Sequence, residues 1–387
     1  MKKQKICIIG GSLTGLITAI SLSKLNCEID LVIGKNKKKK QSNKTIAISE
    51  NNFNFIKKLN IASFSKKEFW PCSIMSLYEG SKDRKFTKIF ELNNEKKGKK
   101  IFYMTKNTEI IKTMMQKIKK TKSIKIKKNE NIAKISDLGI LQSVKYRKDN
   151  SKYNLIIVCT GNKSDLVKNT FYEEIIEKSY DENSITTVLQ HKSIENKIAR
   201  QIFLKDEIFA FLPISNNQTS IVWSVKKKMY KKNKNLIKSK IKLYSKNFLD
   251  QIQFKEKIEF QDLSFLLRKK YFKNRILLFG DALHYVHPLV GQGFNMTLRD
   301  LSSLQEILNK KINLGLDIGS FDILSEFSNE TKPRNFAYAH GINLIKNSFS
   351  VRNDSIVKFR NNLIKLFNKN SIAKDVIYNF ADKGLKF

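Results

Sequence analysis

The sequence predicts an α/β protein in which a parallel, nucleotide-type sheet is interleaved with a mostly antiparallel one and followed by helices. Three observations carry that expectation. Residues 5–33 read as strand, glycine turn, helix and strand, the length of one parallel crossover. Two later runs, "NLIIVCTG" at Asn154–Gly161 and "NRILLFGD" at Asn274–Asp281, have the short apolar stretch and strand-end glycine expected of buried parallel strands facing a ligand. Between them lie "SITTVLQHK", "ARQIFL", "EIFAFLPIS" and "TSIVWSVKKK", β-branched or aromatic runs set apart by polar turns, as in an antiparallel sheet.

The first strand is "KICII", Lys5–Ile9, and "GGSLTG", Gly10–Gly15, turns the chain. Leu16, Ile17, Ala19, Ile20 and Leu22–Leu25 then form one helical face before the strand "EIDLVI" at Glu28–Ile33. In that setting backbone N–H groups and a helix N-terminus can meet a pyrophosphate. Ser12 replaces the usual second glycine, and Gly34 and Lys35 stand where a ribose-binding acid is expected, so a ligand-free tight turn stays open for this motif alone. The β-rich pieces "CSIMSLYEG" and "TKIFEL", within Cys72–Leu92, interrupt the parallel unit a first time. The expected boundaries are 1–71, 101–178 and 271–320 for the nucleotide domain, 72–100 and 179–270 for the second domain, and 321–387 for the C-terminal helices.

At 387 residues and 41% hydrophobic content the chain can bury a large core in about two domains. Its 74 Lys and Arg against 35 Asp and Glu give a formal charge of +39. Lysine is spread along the whole chain among Asn and Ile, and the densest run, "KNKKKK" at Lys35–Lys40, reads as a solvated loop. With no RNA-binding signature, zinc-finger spacing or basic heptad helix, no nucleic-acid partner is expected, while attraction to a membrane surface stays open. Cys7, Cys27, Cys72 and Cys159 lie far apart, which suits buried thiols in a reducing, cytoplasmic setting. The start, "MKKQKICIIGGSLTGLITAISL", has the basic and apolar runs of a secretory signal, but Gly10, Gly11 and Gly15 break it, so it reads as structure. No run of about 18 apolar residues is present to span a bilayer.

The richest stretch is "GDALHYVHPLVGQGFN", Gly280–Asn295. An apolar strand delivers Asp281 at its carboxyl end, and Gly291 and Gly293 flank Gln292 ahead of a helix, so amides and a helix dipole can face an anionic or electron-rich group. A ligand-free turn would not ask for the acid and the amide together. His284 and His287 read as hydrogen-bonded structural residues, and His191 and His340 have weaker claims. No catalytic base is assigned and no metal is expected.

The pattern GD-x6-P-x2-GQG-x-N in this stretch resembles the second flavin-binding fingerprint of the class A flavoprotein aromatic monooxygenases, the para-hydroxybenzoate hydroxylase fold. Within that group it looks closest to the ubiquinone-biosynthesis hydroxylases. "KTIAIS" at Lys44–Ser49, "FYMTKN" at Phe102–Asn107, "ARQIF" with "FAFLP", "IVWS" at Ile221–Ser224 and the terminal "ADKGLKF" extend the likeness over nearly the whole chain. The resemblance implies a Rossmann-like FAD-binding domain interleaved with a mostly antiparallel β-sheet substrate domain, with NAD(P)H and O2 as co-substrates. It implies that Gly10, Gly11, Ser12, Thr14 and Gly15 hold the FAD pyrophosphate, and that Asp281, after Gly280, bonds the ribityl hydroxyls. Pro288, Gly291, Gln292, Gly293 and Asn295 would lie along the isoalloxazine ring, with Lys44 and Asn107 also among the cofactor contacts. Lys44 stands where the family usually has Arg, which turns a planar contact into a point charge. "CTGNKS" at Cys159–Ser164 lacks the acid of the family's "DG" motif. These departures weaken the adenosine end more than the ring end.

The implied reaction is hydroxylation of a polyprenylated phenol in ubiquinone biosynthesis. A small soluble aromatic substrate is one alternative; a degenerate member serving as an assembly partner in a multi-enzyme complex is another. A lipid substrate predicts an apolar tunnel opening toward a basic surface, and a small one a closed pocket with a carboxylate-binding Arg. Phe209, Phe211, Pro213 and Trp223 could wall a substrate cavity or equally form core. In "SIVKFRNNLIKLFNK", Ile356, Phe359, Leu363 and Leu366 share a helical face that reads as packing, with peripheral binding at the inner membrane face as the other fit.

Overall fold

The computed structural model describes residues 3–34, 44–61, 68–80, 85–94, 98–128, 132, 134–146, 150–162, 164–171, 175–230, 233–351 and 353–384. The basic run Lys35–Lys40, Lys163 of "CTGNKS" and the last three residues lie outside the described residues.

Gln4–Ile9 sits inside a six-stranded sheet, parallel to Cys27–Ile33 on one side and to Leu155–Val158 on the other. Ile124–Lys128 and Ile276–Leu278 extend it in parallel, and Phe272–Lys273 closes one edge antiparallel. All four apolar runs read as parallel strands therefore share one sheet. Ile6, Ile8, Ile157 and Leu277 are fully buried, as expected for central strands covered on both faces. The acid within Cys27–Ile33, Asp30, is buried too. It is held by Lys5 at 3.0 Å and accepts the Tyr153 hydroxyl at 2.7 Å, which compensates its desolvation.

The second large sheet is mostly antiparallel, in the order 284–285, 259–268, 175–190, 218–226, 207–215, 198–204, 74–80 and 86–93. A parallel pairing, Ile198–Leu204 with Ile74–Gly80, joins the early β-rich piece to the later strands. Two small sheets had no counterpart in the sequence reading. One is a meander of Lys134–Asp137, Gln142–Lys145 and Asn150–Tyr153. In the other, Phe102–Lys106 pairs with both Thr45–Ser49 and Trp70–Cys72.

Alternation along Glu207–Ser215 and Gln218–Lys226 decides which side chains face where. Phe209, Phe211 and Trp223 are at most 1% exposed and pack with Ile237, Ile241 and Tyr244 of the helix Lys234–Ser245. Pro213, on the same alternation, is buried. The cavity-wall role weighed for the aromatics is thus replaced by core, and Ala210, Leu212 and Val222 hold the opposite face.

Helices Gln292–Asn313, Phe321–Ser350, Asp354–Lys369 and Ser371–Lys383 complete the chain. The packing expected for the face of Ile356, Phe359, Leu363 and Leu366 is overturned, because all four are exposed, Phe359 to 65%. Arg360 takes the inward place instead. Among the described residues, no helix is long and apolar enough to cross a membrane.

Candidate active-site cleft

The glycine loop is shaped by close backbone approach. Gly10 has φ +138°, and a Cβ there would lie 2.7 Å from the Cys159 carbonyl oxygen. A Cβ on Gly15 would lie 1.9 Å from the Gly10 carbonyl oxygen, so the helix Leu13–Leu22 starts hard against the strand end. Ser12 occupies the N-cap in an extended conformation without capping the helix by its side chain; its hydroxyl points at Cys159 O, a long 3.4 Å away. Gly11 and Ser12 are exposed, so the amides of this helix start open outward.

The second glycine-rich stretch meets the first. Gly280, at φ +63°, packs so tightly on Thr14 that a Cβ would lie 2.6 Å from Thr14 Cγ2. The next side chain, Asp281, opens into a cavity of about 370 Å³. Enclosure by protein pushes its carboxyl above the ordinary value, with His284 and Lys44 opposing the shift. Lys44 is pulled down by burial, with Asp281 and Glu259 opposing. Each is thus a charge that the protein only partly neutralises. Asn107 begins the helix Asn107–Lys120 and donates its backbone N–H to Lys44 O at 2.8 Å, placing both at the cavity wall.

Pro288, Gly291 and Gly293 line the same cavity. Gly291 is the left-handed N-cap of the helix Gln292–Asn313 and has no side chain with which to cap it. Space is open where a Gly293 Cβ would lie. Gln292 and Asn295, by contrast, turn their side chains into the protein. Tyr338 donates its hydroxyl to Gln292 Oε1 at 2.6 Å, and Asn295 donates to Ala47 O at 2.9 Å. They tie the loop to the body, and neither is among the residues lining the cavity.

The sheet supplies the facing wall: Ser184, Thr186, Ala210, Leu212, Val222 and Leu263. Composition marked these strands as sheet but could not say which alternate residues face inward. Gln261 also lines the cavity and carried no motif by which to find it, while Tyr285 and Phe294, which line it too, fall at the unspecified positions of the second glycine-rich stretch. Among the described lining residues Lys44 is the one lysine and no arginine occurs.

The histidines are structural in part. His191 bonds Lys192 O and Thr219 Oγ1, and His340 lies among the rings of Phe265 and Phe336. His284 contacts the Asp300 carboxylate at 2.9 Å through Nε2, while Asp300 also accepts Asn335 Nδ2 at 2.9 Å. His287 Nε2 lies 3.3 Å from Glu182 Oε2. Burial holds His287 below the usual histidine value, Glu182 opposing. All four cysteines are free and buried, and burial pushes the Cys7, Cys27 and Cys159 thiols up to about 12.

These groups fit a flavin dinucleotide: a cradle that only glycine permits, a carboxylate opening into the cleft for hydroxyls, and a second helix start with open space above Gly293. The comparisons with known proteins agree. A family profile described as FAD binding domain matches residues 3–334. The chain is 26% identical over 250 residues to the "Ubiquinone biosynthesis monooxygenase COQ6, mitochondrial" of Danio rerio, covering 53% of this chain and 50% of that protein. It therefore spans about half the length of that relative. The protein of the same name from Dictyostelium discoideum is 21% identical over 469 residues, covering 99% of this chain and 92% of the other. Among solved structures, p-nitrophenol 4-monooxygenase PnpA from Pseudomonas putida DLL-E4 superposes with a TM-score of 0.79 at 13% identity, covering 100% of this chain and 99% of that one. HpxO from Klebsiella pneumoniae, complexed with FAD and uric acid, has a TM-score of 0.76 at 12% identity, covering 98% of this chain and 97% of that one.

Proposed function

The chain belongs to the FAD binding domain family and has the fold of the FAD-dependent monooxygenases, and on that premise we propose that it hydroxylates the aromatic ring of a polyprenylated phenol in ubiquinone biosynthesis. One observation carries the reading. Asp281 and the helix start at Gly293 open into the same cavity as an apolar sheet wall that lacks arginine among its described residues. That wall suits an uncharged ring better than a small aromatic acid, which would need a cationic partner. The names of the relatives, at 21–28% identity, point the same way.

In this reading FAD supplies the electron transfer from NAD(P)H and the activation of O2. The chain's residues bind, orient and exclude water. Backbone amides of Gly11–Gly15 face the pyrophosphate at the helix start, and Asp281 accepts hydrogen bonds from the sugar-alcohol chain. Lys44 adds a positive charge beside the Asp281 carboxylate. Amides around Gly291–Gly293, with the dipole of Gln292–Asn313, stabilise negative charge on the ring system. Ala210, Leu212, Val222 and Leu263 keep the substrate side dry.

The test is direct. Purified protein titrated with FAD should turn yellow and bind it stoichiometrically, then oxidise NAD(P)H and add one oxygen to a prenylated phenol, as read by mass spectrometry of the product. A folded protein that refuses FAD would establish the assembly-partner alternative. Turnover confined to small aromatic acids would establish the other.

A further inference from the structure

We infer that the outer faces of the C-terminal helices Asp354–Lys369 and Ser371–Lys383 form a docking surface for an anionic lipid bilayer. The first of these helices is fastened to the body by its polar side. Arg360, 8% exposed, donates to Glu79 and to Ser348 O, Asn361 donates to Glu79 Oε2 at 3.1 Å, and Asn368 accepts the Glu91 N–H at 3.2 Å. The apolar residues point outward: Ile356, Phe359, Leu363, Leu366 and Phe367 are 49%, 65%, 37%, 62% and 42% exposed. At about 3.6 residues per turn they form one stripe. Ile372 and Val376 on the next helix, a turn apart, are 74% and 63% exposed. A globular helix ordinarily does the reverse, so this stripe is built to meet something apolar.

Charge decides what that is. Lys358, Lys365 and Lys369 are exposed on the same helix, and the whole chain carries +39. A second copy would bring the same excess and be repelled. An anionic headgroup layer neutralises the lysines while the stripe enters the boundary with the acyl chains.

The inner side of the same helices supports the assignment. Ile364 and Ile377 pack on the apolar cluster of Met75, Phe102, Met104 and Leu212, and Leu212 also lines the cleft. Apolar packing thus runs from the cleft wall to beneath the docking face, closed here except for a gap of about 10 Å³ beside Met75 and Met104. That link to a lipid substrate rests on the function proposed above. The surface itself does not, and its test needs no flavin.

The experiment is vesicle flotation of the whole chain with phosphatidylcholine alone and with added phosphatidylglycerol. Binding is expected to the anionic vesicles, weakened but not abolished by high salt, and scarcely at all to the neutral ones. Phe359→Ser with Leu366→Ser should lower the partition at least about tenfold. Its melting curve should stay unchanged, since both side chains are already exposed. Lys358→Gln with Lys365→Gln should lose the salt-sensitive part. The inference is overturned if the apolar double variant floats like the unaltered chain, if neutral and anionic vesicles bind alike, or if sedimentation shows a dimer dissolved by that variant while vesicles go unbound.

Discussion

The side-chain oxygen of Asn295 accepts the backbone N–H of Ser49 at 2.9 Å across 246 residues of chain. The same amide donates to Ala47 O, and Asn52 donates to its oxygen, so one buried side chain ties the helix beginning at Gln292 to the strand Thr45–Ser49. Replacing it leaves buried groups on that strand without partners. Asn295→Ala is expected to cost about 2–3 kcal/mol of stability, because each orphaned group keeps its desolvation penalty. Urea unfolding would measure it, and FAD uptake should weaken in parallel as the loop at Gly291 loosens.

Gly15→Ala separates close packing from helix propensity. Alanine is the better helix former by about 1 kcal/mol, yet its methyl would lie 1.9 Å from Gly10 O. Overpacking dominates, so a net loss of about 1–3 kcal/mol is expected. Retained stability with normal FAD titration would show that the loop can shift freely.

The two faces of the sheet should answer differently to substitution. Phe209→Ala opens the core beneath the helix Lys234–Ser245 and should cost about 3–5 kcal/mol. Ala210→Phe, one residue away, fills the cleft instead. It should leave melting nearly unchanged and FAD bound, while raising the KM for a bulky phenol. Equal effects from the two variants would refute the assignment of faces.

Asp281 supplies a pH test with a definite sign. Its folded carboxyl is raised above the ordinary 3.8, so between those two values the folded state holds more protons than the unfolded one. Stability falls as pH rises through that window and stays lower above it. Asp281→Asn should therefore raise the melting temperature of the flavin-free protein at neutral pH, and the gain should vanish in acid below the ordinary value. The same variant should bind FAD more weakly, since the carboxylate is lost as an acceptor.

His287 works the opposite way. Burial holds it below the ordinary 6.5, so it resists protonation in the fold. Stability is full above that value and falls as pH drops toward the lowered one. His287→Asn should flatten this part of the acid limb in melts recorded against pH, leaving the share due to Glu182, whose carboxyl is held low by His287 and Lys346 against burial.

Much of this was legible in the chain because it depends on local chemistry. Glycines at 10, 15, 280 and 291 mark backbone approaches or left-handed turns that other residues resist, and uninterrupted apolar runs mark strands covered on both sides. What alternation cannot supply is the identity of the inward face. Phe209 and Ala210 are equally consistent with either side until the helix at 234–245 takes one of them. Gln292 and Asn295 look like ligand residues from their motif, but their partners, Tyr338 and Ser49, lie far off in sequence. Amphipathic spacing likewise could not tell that Arg360 would be buried and Phe359 left outside.

The order in which the parallel strands occur has a consequence for biosynthesis. A ribosome delivers Gln4–Ile9, Cys27–Ile33 and Leu155–Val158 well before Ile276–Leu278, with most of the second sheet emerging in between. Until then the nascent chain carries an open strand edge, and Asp281, at the end of that last strand, has not yet been made. Such long-range pairing is slow and prone to clumping, so synthesis in a foreign host should benefit from cold induction and abundant chaperones.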